Sequence, residues 1–371
     1  MNCKAGIFEM SSNSPDYSLE IMKEPPAELI DPEKSESPCC PDSTDDNPFK
    51  IPTPPSITSL PSKTQPMSPE YALKHSLPGH TAGVTSVKFS PEGKYVASAS
   101  ADWSLKQWDL ETASLIQSMT GHDHGINDVT WEPAGDMLAS CSDDKTVRLW
   151  DVRSGRCQST LKGHDGFTFA CRFHPQGKLL ASTSFDETVR LWDIRTGRTL
   201  KTVQAHLDPI SSVDFNRDGS LFVTSSFDGL VRIWDSTTCQ VLKTLIDDDN
   251  TPVGHVRFAP NGKYVLSSTM NNTLKLWNFQ KPKCLRSYRG HKNETLCLTS
   301  NFSVTSGTWI VSGSEDMSLC IWNLQNKELV QKVDTKGDKV LCTDCHPTAN
   351  LIVSGSLQNN HEVKIWESTG Q

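Results

Sequence analysis

The chain has 371 residues, with 36 Lys and Arg against 44 Asp and Glu, and therefore a formal net charge of −8 at pH 7. This balance argues against non-specific nucleic-acid binding, which depends on clustered cations that neutralise phosphates, and no apolar run approaches the roughly 18 residues that span a bilayer. The start of the chain shows no basic segment followed by an apolar stretch, so we expect a soluble intracellular protein whose 12 cysteines are small buried side chains rather than disulfide partners.

Residues 1–70 differ in composition from the rest of the chain. They contain 12 acidic residues, 5 Lys, no Arg and 13 of the 22 prolines. Such a segment cannot bury enough apolar surface to offset its ordering entropy, which predicts a disordered acidic tail. Its four Ser/Thr-Pro pairs fit either proline-directed phosphorylation or ordinary tail composition, and they begin at Ser14, Ser37, Thr53 and Ser68.

Residues 71–371 are dominated by one internal repeat. Seven tryptophans recur at spacings of 42 to 45 residues, and an Asp or Asn lies six residues before each of them. In five of the seven units a Gly-His or Ala-His step lies 28 or 31 residues before the Trp. The tryptophans are Trp108, Trp150, Trp192, Trp234, Trp277, Trp322 and Trp366, and the histidines are His80, His122, His164, His206 and His291.

Each unit contains about four short alternating segments separated by Pro, Gly and Asp turns, as in GVTSVKFSPEGKYVASASADWSLKQWD. Four strands in about 43 residues, repeated seven times, are typical of WD repeats, and the chain resembles that family. The resemblance implies an all-β fold, a seven-bladed WD-repeat β-propeller over residues 71–371. The last unit holds only three strands, so Tyr71–Leu77 is predicted to supply the outer strand of the last blade and to pair with the strand that ends at Trp366.

A His, a Ser and an Asp recur together in several units, as in the one with His122 and Asp144, and resemble a hydrolase triad. Because they repeat at a fixed register beside a Trp, we interpret them as a buried structural network. Blades five and seven lack the His and carry Asn271 and Asn360 in place of Asp. We therefore expect no enzyme activity, and we expect blades five and seven to be the least well stabilised by this network.

Two cysteine motifs could indicate a metal site or haem attachment. The run from Cys342 through Cys345 to His346 matches the C-x-x-C-H of haem attachment, but it stands where other units have their first strand. Cys39 and Cys40 have no partner ligands nearby in the sequence. We therefore predict no cofactor and no metal.

Nine stretches carry a closer resemblance: FNRDGSL, DGLVRIWD, LKTLIDDDN, NGKYVL, NTLKLW, GHKNE, NFSVTSG, WIVSGSED and IWNLQNKE. They are similar to the family of WD repeat-containing protein five, the core subunit of the MLL/SET1 (COMPASS) histone H3 lysine-4 methyltransferase complexes. The resemblance covers residues 71–366 and is densest over 206–331; residues 1–70 do not share it. It implies a diverged paralogue with two peptide-binding sites.

The first implied site is the mouth of the central channel, which takes an arginine side chain from a partner peptide or from the histone tail. A guanidinium can stack between two aromatic rings while its N–H groups meet backbone carbonyls. One such wall falls on Phe169, and the opposite wall falls on Thr299, where the family has an aromatic ring. The matching positions are Thr85, Ala101, Gly125, Asn127, Asp143, Phe167, Phe169, Phe185, Ser211, Phe227, Gly254, Cys297, Thr299 and Leu341.

The mouth departs from the family at further positions. Asn127 and Gly254 stand where the family has serine, and Phe167 and Phe227 stand where it has tyrosine. Since one cation–π contact contributes about 0.5–2 kcal/mol, the loss of a ring and several hydrogen bonds predicts arginine binding weakened by about tenfold or more.

The second implied site is a groove on the opposite side of the propeller, around blades five and six. In the family it takes short acidic-hydrophobic peptides from a complex subunit and from transcription factors. The matching positions keep the family residue or, at Arg286, a conservative replacement. They are Asn261, Tyr264, Leu276, Leu285, Arg286, Phe302, Val304 and Gln325.

The resemblance implies a non-enzymatic peptide-binding scaffold in a histone H3 lysine-4 methyltransferase complex. It also implies a nuclear protein, monomeric within a larger assembly, whose partners are complex subunits and the histone tail rather than nucleic acid or membrane. The alternative left open is a WD-repeat adaptor of another complex, such as a ubiquitin-ligase substrate receptor.

Overall fold

The computed structural model describes residues 2–4, 7–9, 69–303, 305, 308–336, 338–357 and 360–368. Within these ranges the regular structure is β-strand, and no helix there is long and apolar enough to cross a membrane. Near the start, β1 (Asn2–Lys4) pairs antiparallel with β2 (Ile7–Glu9).

Most of the predicted tail lies outside the described residues. This holds for its four Ser/Thr-Pro sites, at Ser14, Ser37, Thr53 and Ser68, and for Cys39 and Cys40. The prediction of disorder over residues 1–70 and the phosphorylation hypothesis therefore stay predictions.

From residue 71 onwards the strands form seven four-stranded antiparallel sheets, which confirms the predicted seven-bladed propeller. Blade one contains β4 (Val84–Phe89), β5 (Tyr95–Ser100), β6 (Ser104–Asp109) and β7 (Ser114–Thr120). Blade two contains β8 (Ile126–Trp131), β9 (Met137–Ser142), β10 (Thr146–Asp151) and β11 (Cys157–Lys162). Blade three contains β12 (Thr168–Phe173), β13 (Leu179–Ser184), β14 (Thr188–Asp193) and β15 (Arg198–Gln204).

The next three blades follow the same order. Blade four contains β16 (Ile210–Phe215), β17 (Leu221–Ser226), β18 (Leu230–Asp235) and β19 (Val241–Ile246). Blade five contains β20 (Val253–Phe258), β21 (Tyr264–Thr269), β22 (Thr273–Asn278) and β23 (Lys283–Tyr288). Blade six contains β24 (Ser300–Ser303), β25 (Trp309–Gly313), β26 (Ser318–Asn323) and β27 (Leu329–Asp334).

Blade seven closes the ring with strands from both ends of the repeat region. It contains β28 (Val340–Cys345), β29 (Leu351–Ser356) and β30 (Val363–Ser368), and its outer strand is β3 (Tyr71–Leu77). β3 pairs antiparallel with β30 from Tyr71 opposite Ser368 to Leu77 opposite Val363. This pairing confirms the predicted closure and leaves blade seven with the same four strands as its neighbours.

The first strand of each blade is buried and the fourth is largely exposed, as β4 and β7 show for blade one. The core therefore lies between neighbouring blades: Leu77 and Val363 of blade seven pack in one cluster with Val84 and Trp108 of blade one. Close packing of this kind ties each blade to the next and fixes the loops at both ends of the channel.

The C-x-x-C-H run in blade seven has a structural role. His346 lies beneath the blade-one turn, where its Nε2 is 2.9 Å from the carbonyl oxygen of Gly93, and its Nδ1 accepts the backbone N–H of Ala349 at 2.8 Å. Gly93 has φ of +78°, and a Cβ there would lie 2.2 Å from the imidazole Nε2. Glycine is required at this turn, and both ring nitrogens of His346 have backbone partners.

Four blades contain a closed polar network around the Trp. In blade two, His122 Nδ1 lies 2.6 Å from Asp144 Oδ2 and its Nε2 lies 2.7 Å from Ser140 Oγ, which also accepts the Trp150 indole N–H at 2.8 Å. Blades one, three and four repeat it around His80, His164 and His206. Burial raises the pKa of Asp144, but the hydrogen bond and charge of His122 and the two hydrogen bonds from Thr146 together outweigh burial and hold that pKa well below its usual range.

Blade six was expected to have this network, and that expectation is wrong. Its indole, Trp322 Nε1, donates instead to the carbonyl oxygen of Arg289 at 2.9 Å, and neither ring nitrogen of His291 has a hydrogen-bond partner within the part of the chain that the structure describes. The 31-residue spacing from His291 to Trp322 shifts the ring away from Ser312, whose hydroxyl donates to backbone carbonyls. In blades five and seven, by contrast, the indoles still reach a serine.

The isolated imidazole of His291 predicts a pH-dependent stability. Burial lowers its pKa to about 4, so between pH 6.5 and 4 the unfolded chain binds a proton that the folded protein rejects. Stability should fall across that window by at most about 3 kcal/mol, since one pKa unit corresponds to about 1.4 kcal/mol. Melting temperatures measured from pH 7 to pH 4 should decline less in His291→Gln than in the unmodified protein.

An equal decline in both proteins would contradict this role for His291. A residual decline is expected in the variant because burial also lowers the pKa of His206. Below about pH 4, protonation of Asp144 and its equivalents should destabilise both proteins alike.

Candidate functional site

The chain offers two separate sites at opposite ends of its innermost strands. β20 begins beside the channel mouth with Val253 and Gly254, and the turn of Ala259 to Asn261 follows its last residue. Six extended residues span about 20 Å. The predicted arginine site and the predicted groove therefore lie on opposite faces of the propeller.

A small cavity lies at the channel mouth and brings together eight of the fourteen positions predicted for the arginine site. Its volume is about 50 Å³, well below the roughly 300 Å³ at which ligand pockets begin. The eight lining positions are Thr85, Asn127, Phe169, Ser211, Gly254, Cys297, Thr299 and Leu341.

The other six predicted positions lie in loops of the same face and do not line the cavity. In blades one to four, the turn after the second strand bonds back to the entry of the first strand: the Phe185 N–H donates to Phe167 O at 2.8 Å, and the Asp143 N–H donates to Gly125 O at 3.0 Å. Ala101 and Phe227 occupy the same turn position in blades one and four.

The polar side chains at the channel mouth form hydrogen bonds, most of them between neighbouring blades. Thr85 Oγ1 donates to Ile126 O at 2.6 Å, and Ser211 Oγ donates to Val253 O at 2.6 Å. Asn127 Nδ2 donates to Thr168 O at 2.8 Å and to Asp143 Oδ1 at 2.7 Å. These donors join first strands of neighbouring blades and are used within the protein, whereas Asn127 Oδ1 has no hydrogen-bond partner among the described residues.

Of the two predicted walls of the arginine site, one carries an aromatic ring and the other does not. Phe169 is buried and its ring stacks at 6.4 Å, centroid to centroid, on Phe185, which also meets Phe167 edge to face at 6.1 Å. On the other side, Thr299 Oγ1 accepts the Thr343 N–H at 2.7 Å. Thr299 therefore joins blades six and seven and presents no ring to a guanidinium.

A close contact between Gly254 of blade five and Cys297, which precedes the first strand of blade six, narrows the channel mouth. A Cβ built on Gly254 would lie 3.1 Å from the Cα of Cys297 and 3.5 Å from its Sγ. A serine at that position, which the resemblance implies, fits only if the backbone at Cys297 shifts. Gly254 and the position of blade six are therefore matched to each other.

A network of charged side chains lies deeper in the channel and was not predicted from the sequence. Arg172 Nη1 lies 3.3 Å from Asp128 Oδ2, and its Nε lies 3.8 Å from Asp214 Oδ1. Arg257 Nη1 lies 3.2 Å from Asp344 Oδ1. The signal was available, because charged residues recur inside apolar first strands such as TFACRF and VGHVRF, where burial requires a partner.

The groove between blades five and six is the larger site. Its volume is about 420 Å³, within the range of ligand pockets. It brings together six of the eight predicted positions, and adds six that were missed. The predicted ones are Asn261, Tyr264, Leu276, Leu285, Arg286 and Phe302, and the added ones are Ala259, Pro260, Ser303, Thr308, Trp309 and Leu324.

The remaining two predicted positions have different outcomes. Val304 lies outside the described residues. Gln325 is exposed and follows the lining residue Leu324, and its N–H donates to Asn323 Oδ1 at 2.7 Å. Gln325 therefore borders the groove without lining it.

The wall between the two blades is held by one backbone carbonyl. Leu324 O accepts Arg286 Nη1 at 2.9 Å and the Tyr288 hydroxyl at 2.9 Å. Beside it, the indole nitrogen of Trp309 is buried and has no hydrogen-bond partner among the described residues. The groove thus combines a fixed guanidinium, an apolar floor and one unused buried donor.

A ring of seven such sheets, with one site at the channel mouth and another between two blades on the opposite face, defines a β-propeller of the WD-repeat class, whose loops present surfaces to other proteins. The family described as "WDR5 beta-propeller domain" matches residues 76–367, and the chain belongs to that family.

Curated relatives match over shorter stretches. The WD repeat-containing protein 26 homolog of Arabidopsis thaliana is 31% identical over 107 residues, which cover 29% of this chain and 18% of the relative. The WD repeat domain-containing protein 83 homolog of Dictyostelium discoideum is 28% identical over 124 residues, 33% of this chain and 37% of the relative. Pre-mRNA-processing factor 19 of Bos taurus is 31% identical over 117 residues, 31% of this chain and 22% of the relative. The matches thus span well under half the length of each relative.

Proposed function

We propose that this protein is a non-enzymatic scaffold subunit of a nuclear histone H3 lysine-4 methyltransferase complex, and that it binds a partner through the groove between blades five and six. The observation that carries the proposal is the groove itself. Six positions implied by the family resemblance line one 420 Å³ cavity, whereas the channel mouth encloses about 50 Å³.

The charge around the groove supports an acidic-hydrophobic peptide as its ligand. Arg286 lines the groove. The exposed side chain of Lys263 is next in sequence to the lining residue Tyr264, and the exposed Lys281 and Lys283 precede the lining residue Leu285 by four and two residues. An apolar floor with basic neighbours favours a peptide that alternates acidic and apolar residues.

The channel mouth supports a weaker role in the same scaffold. With Thr299 bonded to Thr343 and Gly254 packed against Cys297, we propose that arginine recognition there is reduced. The groove would then supply most of the affinity for the complex.

The test uses Leu285, which is 43% exposed at the groove. Leu285→Asp should weaken binding of a fluorescent acidic-hydrophobic peptide by tenfold or more, because it replaces an apolar contact with a charge that repels the ligand; tenfold corresponds to about 1.4 kcal/mol. Fluorescence polarisation with the full-length chain measures the dissociation constant.

Matched controls come from the same strand position in other blades. Leu285 is the bulge residue between Cys284 and Arg286, and Leu242 of blade four and Leu200 of blade three occupy the equivalent bulges. Leu242→Asp and Leu200→Asp should leave peptide affinity unchanged. Equal affinity of all three variants, or no binding by the unmodified protein, would refute the groove as the docking site.

A further inference from the structure

Trp103 differs from every other tryptophan in the chain. All ten lie within the described residues, and nine of them are at most 7% exposed, whereas Trp103 is 51% exposed. Indoles are rarely left in solvent because they bury large apolar surfaces when they pack. This one contributes nothing to the core.

The turn that carries Trp103 has a backbone conformation that is unfavourable for a bulky side chain. It joins β5 to β6, and Trp103 has φ of +70°. The same turn position has positive φ in all the other six blades, where it holds Lys145, Glu187, Gly229, Asn272, Met317 and His361. Positive φ is unfavourable for most side chains, and the range of residues that adopt it here shows that the turn does not require an indole. The turn therefore does not explain the tryptophan.

Trp103 is nevertheless held in place. Asp102 Oδ1 accepts the Ser104 N–H at 3.0 Å, and Asp102 Oδ2 lies 2.8 Å from His80 Nδ1, so the turn is fixed on both sides of the indole. The indole also meets the ring of His124, in the next blade, edge to face at 5.9 Å. The His124 carbonyl oxygen accepts Ser142 Oγ at 3.2 Å. Two aromatic rings from two blades thus form one exposed surface.

This surface adjoins the channel mouth. Trp103 follows Ala101 by two residues, a distance of at most about 7 Å, and the Ala101 N–H donates to Gly83 O at the entry of β4. A peptide with one side chain in the mouth would therefore place the next residues over Trp103 and His124.

The charge of the same face indicates the peptide's chemistry. The loops before and within blades two to five on this face expose five acidic side chains, Asp123, Asp165, Asp208, Asp248 and Asp249, and one basic side chain, Lys145. The corresponding loops of blades six and seven add two acidic side chains, Glu294 and Asp316, and three basic ones, Arg289, Lys292 and Lys336, so the described part of the face remains more acidic than basic. Asp123 adjoins His124; its side chain is 83% exposed, and Arg148 Nη2 lies 4.0 Å from its Oδ2. Such a field attracts cations.

We propose that Trp103 and His124 form a subsite for a lysine or arginine side chain of a basic peptide segment lying across the channel mouth. The cation stacks on the indole face, and the neighbouring carboxylate of Asp123 adds attraction. The proposal does not depend on the groove, since the two surfaces lie on opposite faces.

The test uses a tryptophan-free synthetic peptide rich in lysine and arginine, and the full-length chain. Since Trp103 is the accessible indole, acrylamide quenching should report mainly on it, and the peptide should reduce that quenching. Trp103→Asn, which suits the turn, should weaken peptide binding at least threefold in fluorescence polarisation without lowering the melting temperature.

Met317 provides the matched control. It occupies the same turn position in blade six, with φ of +67°, and it is also exposed. Met317→Asn should leave affinity unchanged. Unprotected quenching, or equal affinity of Trp103→Asn and the unmodified protein, would overturn the subsite. Equal loss in Met317→Asn would also overturn it, because the effect would not be specific to Trp103.

Discussion

Removing residues 1–77 should lower the melting temperature by about 10 °C, whereas removing residues 1–70 should leave it nearly unchanged. The longer deletion takes away β3, and with it the buried side chains of Tyr71 and Leu77. Burial of two such side chains contributes about 1.5–3 kcal/mol each, and each kcal/mol shifts the melting temperature of a large domain by roughly 2–4 °C. Differential scanning calorimetry of the two truncated proteins measures the difference.

The loss of β3 should also remove hydrogen bonds to blade six. Gln331 clamps the start of the strand: the Tyr71 N–H donates to Gln331 Oε1 at 2.8 Å, and Gln331 Nε2 donates to Tyr71 O at 2.9 Å. Without β3, the outer edge of β30 is unpaired and open to association with other chains. A synthetic peptide covering residues 69–78 should restore part of the lost stability. Equal melting temperatures of the two truncated proteins would contradict closure by β3.

The architecture was readable from the sequence because its signals are periodic. A tryptophan every 42 to 45 residues fixed the number of blades, and the three-strand remainder in the last unit called for β3. Each signal reports on local strand pairing, which repeats from blade to blade. The same reasoning failed in blade six, where His291, Ser312 and Trp322 are all present but the spacing separates them.

The sites were only partly predictable, since their shape depends on contacts between blades. Family resemblance located Leu285 and Arg286, but it did not indicate that Trp309 and Leu324 complete the groove. Nor does a sequence reveal that Cys297 fills the space beside Gly254. Such features arise from the packing of one irregular blade against its neighbours, where no periodic pattern applies.

Replacing the Gly-His histidine of blade two should destabilise the protein much more than replacing that of blade six. His122→Ala should cost about 3 kcal/mol, because it removes the imidazole partner of the buried Asp144 carboxylate and leaves Ser140 with one of its two partners. Asp144 keeps its hydrogen bonds from the Asp123 N–H and from Thr146. His291→Ala removes a ring of the same size whose nitrogens have no hydrogen-bond partner among the described residues, and which meets Trp322 edge to face at 5.4 Å. Its cost should be nearer 1 kcal/mol, since only packing is lost.

Thermal melting at pH 7 distinguishes the two substitutions, because both delete an imidazole at the Gly-His step and differ mainly in the network. By the conversion used above, the melting temperature of His122→Ala should fall by roughly 6–12 °C, and that of His291→Ala by roughly 2–4 °C. His164→Ala should behave like His122→Ala, since its bonds to Asp186 and Ser182 are the same. If His291→Ala proved as destabilising as the other two, the histidines would act through packing alone, and the hydrogen-bonded network would not be what pins these blades.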